Sequence, residues 1–205
     1  MSAGRWGALS GAAAVVLAVL AAVLFNFYDY LPAGEEVAEH LTDNATTIQI
    51  AGYVGVIAAF LMLWFAGTVK DAMRPRDGEG RLTTIAVGGA ITAAAGLALV
   101  FGLMIAAAAR AGSEGGISAV EAVTIYDAYG TLFVTLIGVG TAGIVLAFSL
   151  LGLRGRFVAR WLGWLGIIVA IGSISPLGYV FAGVALVYVL GISIWAYRKA
   201  SLPAM

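Results

Sequence analysis

Six long apolar stretches separated by short polar segments run along the chain. A helix needs about 20 mostly apolar residues to cross the ~30 Å hydrocarbon layer of a bilayer. Each stretch reaches or approaches that length. The pattern therefore predicts an all-α fold, a six-transmembrane-helix bundle that forms a single domain over 1–205, with spans at about 7–27, 48–69, 82–109, 124–152, 158–174 and 177–197.

Composition supports a membrane protein. Hydrophobic residues make up 62% of the 205 positions, with a mean hydropathy of +1.02, whereas a soluble domain has roughly 45–50% apolar residues. Lipid is the solvent that removes the need for a polar surface. We therefore expect a multi-pass protein of the plasma (inner) membrane, with the bilayer as its first partner. The net charge is zero, so the chain has no basic excess that would indicate a nucleic-acid partner.

The first apolar stretch allows two interpretations. An arginine, Arg5, precedes it, as in a secretory signal peptide. The stretch is longer than the ~7–15 residues of a signal's apolar region, and no A-x-A cleavage site closes it. We interpret it as a retained transmembrane helix.

Positive charges predict the orientation. Ten of the eleven Lys and Arg residues fall before the first span, in the 70–81 and 154–160 loops, or after the last span. Six spans place all ten on one side, and only Arg110 falls on the other. The side richer in Lys and Arg is normally cytoplasmic. We therefore predict that both termini lie in the cytoplasm.

The residue inventory limits the chemistry. The chain has no cysteine and one histidine, His40, so thiolate sites and metal sites with several histidines are excluded. No nucleotide-binding or hydrolase motif is present. We expect no cofactor and no metal, and no reaction can be identified. His40 lies in an acidic segment in which 34–40 could form a short interfacial helix. A solvated acidic loop is the common meaning of such a segment, and zinc binding or pH sensing is the alternative.

The fourth apolar stretch is the most informative. Residues 117–153 would form a helix roughly 55 Å long at 1.5 Å per residue, so its first turns must project from the hydrocarbon layer, tilt, or lie in the interface. Polar residues recur along it at helical spacing and form one face. We expect this face to point into the bundle and not into lipid.

The predicted topology brings further polar residues to the same depth as that face. We take as candidate ligand-binding residues Asp127, Glu121, Thr124, Thr131, Asn26, Asp29, Gln49 and Tyr53. Two interpretations stay open. In the first, these groups cap helix ends and bond one another. In the second, they line a pocket for a ligand or ion.

Small residues recur at a spacing of four in the third span, at Gly88, Thr92 and Gly96. Such spacing lets helix backbones approach closely in lipid. We expect this row to pack against another helix of the same chain, with a homo-oligomer contact as the alternative.

Three short motifs carry a resemblance. They are LWFAG at 63–67, GRL at 80–82 and RWLGWLG at 160–166. With their order along the chain, they resemble an uncharacterised family of bacterial six-span integral membrane proteins, a domain of unknown function. The resemblance covers most of the chain and implies the topology. It assigns no catalytic residue.

Function is predicted only by class. The leading prediction is a non-catalytic membrane protein that binds a small or lipid-like ligand, or a partner membrane protein. A small transporter or channel with an outward-facing polar pocket is the first alternative. It would need a polar path through the bilayer, and broken helices are common in such proteins. An intramembrane enzyme is the second alternative, but no paired nucleophile and base is apparent.

Overall fold

The computed structural model describes residues 3–25, 34–155, 158–175 and 177–200, and the regular structure of this part is entirely helical. One continuous helical path, Ala119–Gly155, consists of α5, a π-helical segment and α6. The elements are α1 (Ala3–Phe25), α2 (Gly34–Asp43), α3 (Ala45–Met73), a 3-10 turn (Arg74–Arg76), α4 (Arg81–Ala111), α5 (Ala119–Leu132), the π segment (Phe133–Gly138), α6 (Val139–Gly155), α7 (Arg160–Ser173) and α8 (Gly178–Ala200).

Five helices of the described chain are long and apolar enough to cross a membrane. They are Trp6–Phe25, Ala45–Arg76, Arg81–Ala111, Ala119–Gly155 and Val180–Arg198. The predicted span at 158–174 falls on α7, which has 14 residues and is therefore about 21 Å long. That length is shorter than the ~30 Å hydrocarbon layer. The all-helical class is thus confirmed, and the described residues include five helices long and apolar enough to span a membrane and one shorter apolar helix. The sixth span stays a prediction.

The helices form a bundle in which α3 packs on α1 and α4, α4 also packs on α6, and α7 lies on α6 and α8. The bundle closes because α8 returns to α1. At one end, the Arg76 guanidinium lies 5.3 Å from the centre of the Trp195 ring. We call this the basic end, where the helices place Lys70, Arg74, Arg76, Arg81, Arg154, Arg160 and Arg198. The opposite, acidic end carries α2 and the start of α5.

The predicted short helix at 34–40 is confirmed and extends to Asp43 as α2. Its buried side chains are Val37 and Leu41, and it packs mainly on α5. Gly34 allows this contact, since a Cβ there would lie 2.9 Å from the Ala119 carbonyl oxygen. The acidic side chains of α2 therefore face outward while its two apolar residues hold it on the bundle.

The closest helix contact joins α4 to the path of the π segment and α6. A Cβ on Gly89 would lie 2.5 Å from the Gly140 carbonyl oxygen, and one on Gly96 would lie 2.7 Å from the Leu136 Cβ. The prediction for Gly96 is confirmed. The prediction for Gly88 is wrong, because Gly88 is exposed with open space around it. The row in contact runs through Gly89, Ala93 and Gly96, whose alternating spacing of four and three follows a straight helix better than a constant four.

A tyrosine joins the short helix α7 to its neighbours. The Tyr188 hydroxyl of α8 donates to the Leu162 carbonyl oxygen of α7 at 2.8 Å, and it lies 3.2 Å from the Ser149 Oγ of α6. Gly166 leaves the space that these two hydroxyls occupy. The Tyr188 side chain thus links α6, α7 and α8, and it holds the short helix α7 against its two neighbours.

Replacing Tyr188 should loosen α7 selectively. Tyr188→Phe removes the bond to Leu162 and leaves the buried Ser149 hydroxyl short of a partner, which typically costs about 1–3 kcal/mol. We expect faster amide hydrogen exchange over 160–173 in the variant. Tyr53→Phe is the control, because Tyr53 is 60% exposed. Equal exchange of α7 in both variants would contradict this role for Tyr188.

Candidate functional site

The acidic and hydroxyl side chains predicted on the fourth apolar stretch lie on the surface of the bundle. Glu121, Thr124, Asp127 and Thr131 are all exposed. The opposite face of α5 packs inward, with Ala122 buried and Tyr129 half-buried. The prediction that the polar face points into the bundle is therefore wrong. The physical reason is that the 37-residue path is longer than the hydrocarbon layer is thick. Its first helical turns therefore project beyond that layer, where polar side chains contact water.

Several of these polar groups have local structural partners. Ser118 and Glu121 form a capping box, in which the Ser118 N–H donates to Glu121 Oε2 at 2.9 Å and the Glu121 N–H donates to Ser118 Oγ at 3.3 Å. The Thr124 hydroxyl donates to the Val120 carbonyl oxygen at 2.8 Å. The capping box stabilises the start of α5, and the Thr124 hydroxyl bonds within the same helix, as the capping interpretation expects.

The remaining candidates do not join this face. Gln49 is half-buried and Tyr53 is exposed on α3, a helix that packs mainly on α1 and α4. Asn26 and Asp29 lie outside the described residues. The structure thus does not bring the six described candidates together, and the ligand-binding role of all eight stays a prediction.

A cavity of about 260 Å³ lies between α1, α4, α8 and the helical path through Phe133. Its floor is apolar and buried, with Leu97 and Phe101 of α4 and Ile137 of the π segment. The most exposed lining residues lie on α1 and α8, where Val23 is 55% exposed and Gly183 is also exposed, and we call this side the mouth of the cavity. The complete lining is Ala18, Val19, Ala22, Val23, Leu97, Phe101, Tyr129, Phe133, Ile137, Gly183 and Leu186.

Aromatic rings form one wall of this lateral cavity. The Phe25 ring stacks on Tyr129 with a centroid separation of 5.7 Å, and Tyr129 stacks on Phe133 at 6.2 Å. Phe25 also lies 6.2 Å from Phe101 in a tilted arrangement. These offset contacts are favourable beyond the buried area of the rings. They hold the wall in place between α1, α4 and α5.

The wall continues into the π segment, Phe133–Gly138, which interrupts the α-helical path where the cavity lies. A π turn inserts one residue and shifts the faces that follow it, and such turns are frequent at functional sites. Phe133 and Ile137, at its beginning and near its end, both line the cavity.

His40 joins α2 to the end of α1, beside the cavity. Its Nε2 lies 3.1 Å from the Phe25 carbonyl oxygen, and its Nδ1 lies 3.4 Å from Asn44 Nδ2. If Nε2 carries the proton, it donates to the last carbonyl of α1 while Nδ1 accepts from Asn44. The chain's one histidine therefore ties α2 to the end of a helix that lines the cavity. No group of three or more metal-ligating side chains occurs among the residues that the structure describes.

The buried hydroxyls elsewhere in the described bundle bond mostly to their own helices. Thr141 donates to the Ile137 carbonyl oxygen at 2.7 Å, Ser173 to that of Val169 at 2.8 Å, and Ser193 to that of Val189 at 2.9 Å. Hydroxyls satisfied in this way add little polarity to the interior.

Sequence reasoning missed the lateral cavity because its lining residues are ordinary apolar residues of spanning helices. The sequence does contain one indication, the aromatic pair Tyr129 and Phe133, four residues apart. Such a pair indicates a shared helical face but not a space beside it. The cavity is the space that α1, α4, α8 and the path through Phe133 leave between them, which no local pattern encodes.

Comparison with family profiles, curated proteins and solved structures gave no match. The resemblance to a bacterial six-span family therefore stays a prediction, and the function must be argued from the geometry of this chain.

Proposed function

We propose that this protein is a non-catalytic membrane protein that binds the hydrocarbon chain of a lipid-like amphiphile in the lateral cavity. The observation that carries the proposal is an apolar space of about 260 Å³ with exposed lining residues on α1 and α8. An apolar cavity of roughly 150 Å³ binds benzene. By proportion, this one has room for about ten carbon atoms.

The depth of the cavity fits an alkyl chain that enters from the bilayer. Its lining runs from Tyr129 to Ile137, which is roughly 12 Å along a helix axis, and from Ala18 to Val23 on α1. Phe25, the last residue of α1, marks the acidic end of that helix. A chain lying along these residues occupies the half of the bilayer nearer the acidic end.

The wider topology belongs to the same proposal. The concentration of Lys and Arg at the basic end supports a cytoplasmic basic end and cytoplasmic termini, in a plasma (inner) membrane. Six spans follow if α7 crosses with its flanking residues. The contact of Gly172 with the Phe181 ring supports a tight turn between α7 and α8. The cavity then lies in the outer leaflet.

A lipid-binding role is favoured over transport by the polarity of the described interior. A transport path needs polar groups that face a shared space, whereas Thr141, Ser173 and Ser193 bond to carbonyls of their own helices. The exposed acidic residues lie at the surface and line no passage among the described residues.

The test uses a decanol analogue with a photoreactive diazirine at the end of its chain. The protein is reconstituted in nanodiscs of zwitterionic lipid, and labelled peptides are mapped by mass spectrometry. We expect labelling around Ala18 and Leu97 that excess decanol displaces. Labelling that excess decanol does not displace would refute the proposed function, because the probe would then have reacted from the bulk lipid and not from a saturable site.

A matched pair of variants sharpens this test. Gly183 and Gly191 both lie exposed on α8 with open space around them, but only Gly183 lines the cavity. Gly183→Trp should place an indole in the mouth and reduce displaceable labelling about tenfold, equivalent to ~1.4 kcal/mol. Gly191→Trp should leave labelling unchanged. Equal labelling of the two variants would show that the probe binds at a site other than this cavity.

A further inference from the structure

The lateral cavity is closed on the side nearer the basic end of the bundle, which we call its inner end. Leu97 and Ile137 are buried lining residues at this end. One helical turn further toward the basic end, each of the four bordering helices places a fully buried residue. These residues are Ala14 of α1, Ala93 of α4, Thr141 of α6 and Val189 of α8. This packed layer sets a limit to how deep a chain can reach.

The cavity is also closed on the side nearer the acidic end. Phe25 is buried one turn beyond the lining residue Ala22, and its ring stacks on Tyr129. On α4, the buried Met104 lies one turn beyond the lining residue Phe101. The space is therefore bounded at both ends, and a ligand reaches it from the mouth, where α1 and α8 carry the exposed lining residues.

We infer that the closed inner end makes the site selective for chain length, with room for about ten carbon atoms of an unbranched alkyl chain. This inference rests on the proposed function, since it concerns the same bound chain. The chain enters through the mouth with its methyl end first, because the apolar inner end offers no partner to a polar head group. The methyl end then lies against Leu97 and Ile137, and Leu97 is a residue that sets the length.

The first test compares unbranched alcohols as competitors of the photoreactive decanol analogue in the same nanodiscs. Potency is the mole fraction in the lipid that halves the labelling, so differences in partitioning from water cancel. Octanol leaves the space of two carbon atoms unfilled, roughly 50 Å³, and should be about eightfold weaker than decanol. Tetradecanol should match decanol within about twofold, because its additional carbons stay in lipid, which is as apolar as the cavity.

Two variants should move this limit in opposite directions. Leu97→Ala removes three carbon atoms at the inner end, so tetradecanol should become about tenfold more potent than decanol. Ala18→Leu adds three carbon atoms to the lining on α1, so octanol should become as potent as decanol. Leu99→Ala is the control, because Leu99 is exposed on α4 and does not line the cavity. It should keep the wild-type order.

The outcomes separate the inference from the proposed function. Equal potency of octanol and decanol in the wild type, or a steady rise through tetradecanol, would overturn the length limit while the cavity remains a chain-binding site. The same limit in Leu97→Ala, Ala18→Leu and the control would also overturn it. The wild-type series needs no variant, so it decides the matter even if Leu97→Ala does not fold. Failure of every alcohol to displace the label would instead overturn the proposed function itself.

Discussion

Gly89→Leu is expected to prevent stable packing of α4 on α6, whereas Gly88→Leu should leave the bundle intact. A Cβ at Gly89 would lie 2.5 Å from the Gly140 carbonyl oxygen and 2.9 Å from the Ile144 nitrogen. Both atoms belong to the backbone of the partner helix, so the helices must separate to admit a side chain. Overpacking typically costs about 1–3 kcal/mol and occasionally more, and we expect the upper end of that range.

The two positions form a matched pair because they are neighbours on the same helix. Gly88 has no atom within 4 Å of a built Cβ, so a leucine there enters lipid and gains helix propensity of up to ~1 kcal/mol. The measurement is unfolding by denaturing detergent in mixed micelles. If Gly89→Leu yields no folded protein, Gly89→Ala gives the same comparison against Gly88→Ala at smaller cost. Equal unfolding midpoints within both pairs would show that the contact face is misassigned.

Gly55→Ala is expected to reduce stability and ligand binding together. A Cβ on Gly55 of α3 would overlap the ring of Phe101 on α4, and Phe101 also lines the cavity. We expect the ring to shift into the free volume of the cavity, so the variant should fill part of the space that the alkyl chain needs. We expect a loss of about 1–3 kcal/mol in stability and an about tenfold reduction of displaceable photolabelling.

A second substitution and a control isolate this mechanism. Phe101→Leu makes room for the new methyl group, so the double variant Gly55→Ala/Phe101→Leu should recover part of both losses as a positive coupling. Gly67→Ala on the same helix is the control, because open space surrounds Gly67. Additive effects in the double variant would show that the Phe101 ring does not transmit the change at Gly55.

The two interpretations left open for the acidic residues are now weighted differently. Glu121 acts in a capping box at the start of α5, as the capping interpretation expects. Asp127 is exposed on the same helix and does not line the cavity. Its ligand-binding role therefore stays a prediction.

The sequence by itself determined the class of the fold, because hydropathy acts over whole segments. A run of about 20 apolar residues must be helical in lipid to satisfy its backbone, so most of the helices could be located from their composition. The helix α2 was also predictable, since its acidic residues and the apolar Val37 and Leu41 define an amphipathic pattern within one segment.

Only the tertiary structure decided which face of each helix is buried. A polar row was expected to turn inward at Asp127, and a glycine row was expected to pack at Gly88. Both depended on rotation about the helix axis, which is set by contacts with other helices. Gly89 is buried because Gly140 of α6 packs against it, and no pattern within α4 distinguishes Gly89 from Gly88. The lateral cavity is likewise a property of four helices together, because it is the space that their apolar side chains leave unfilled.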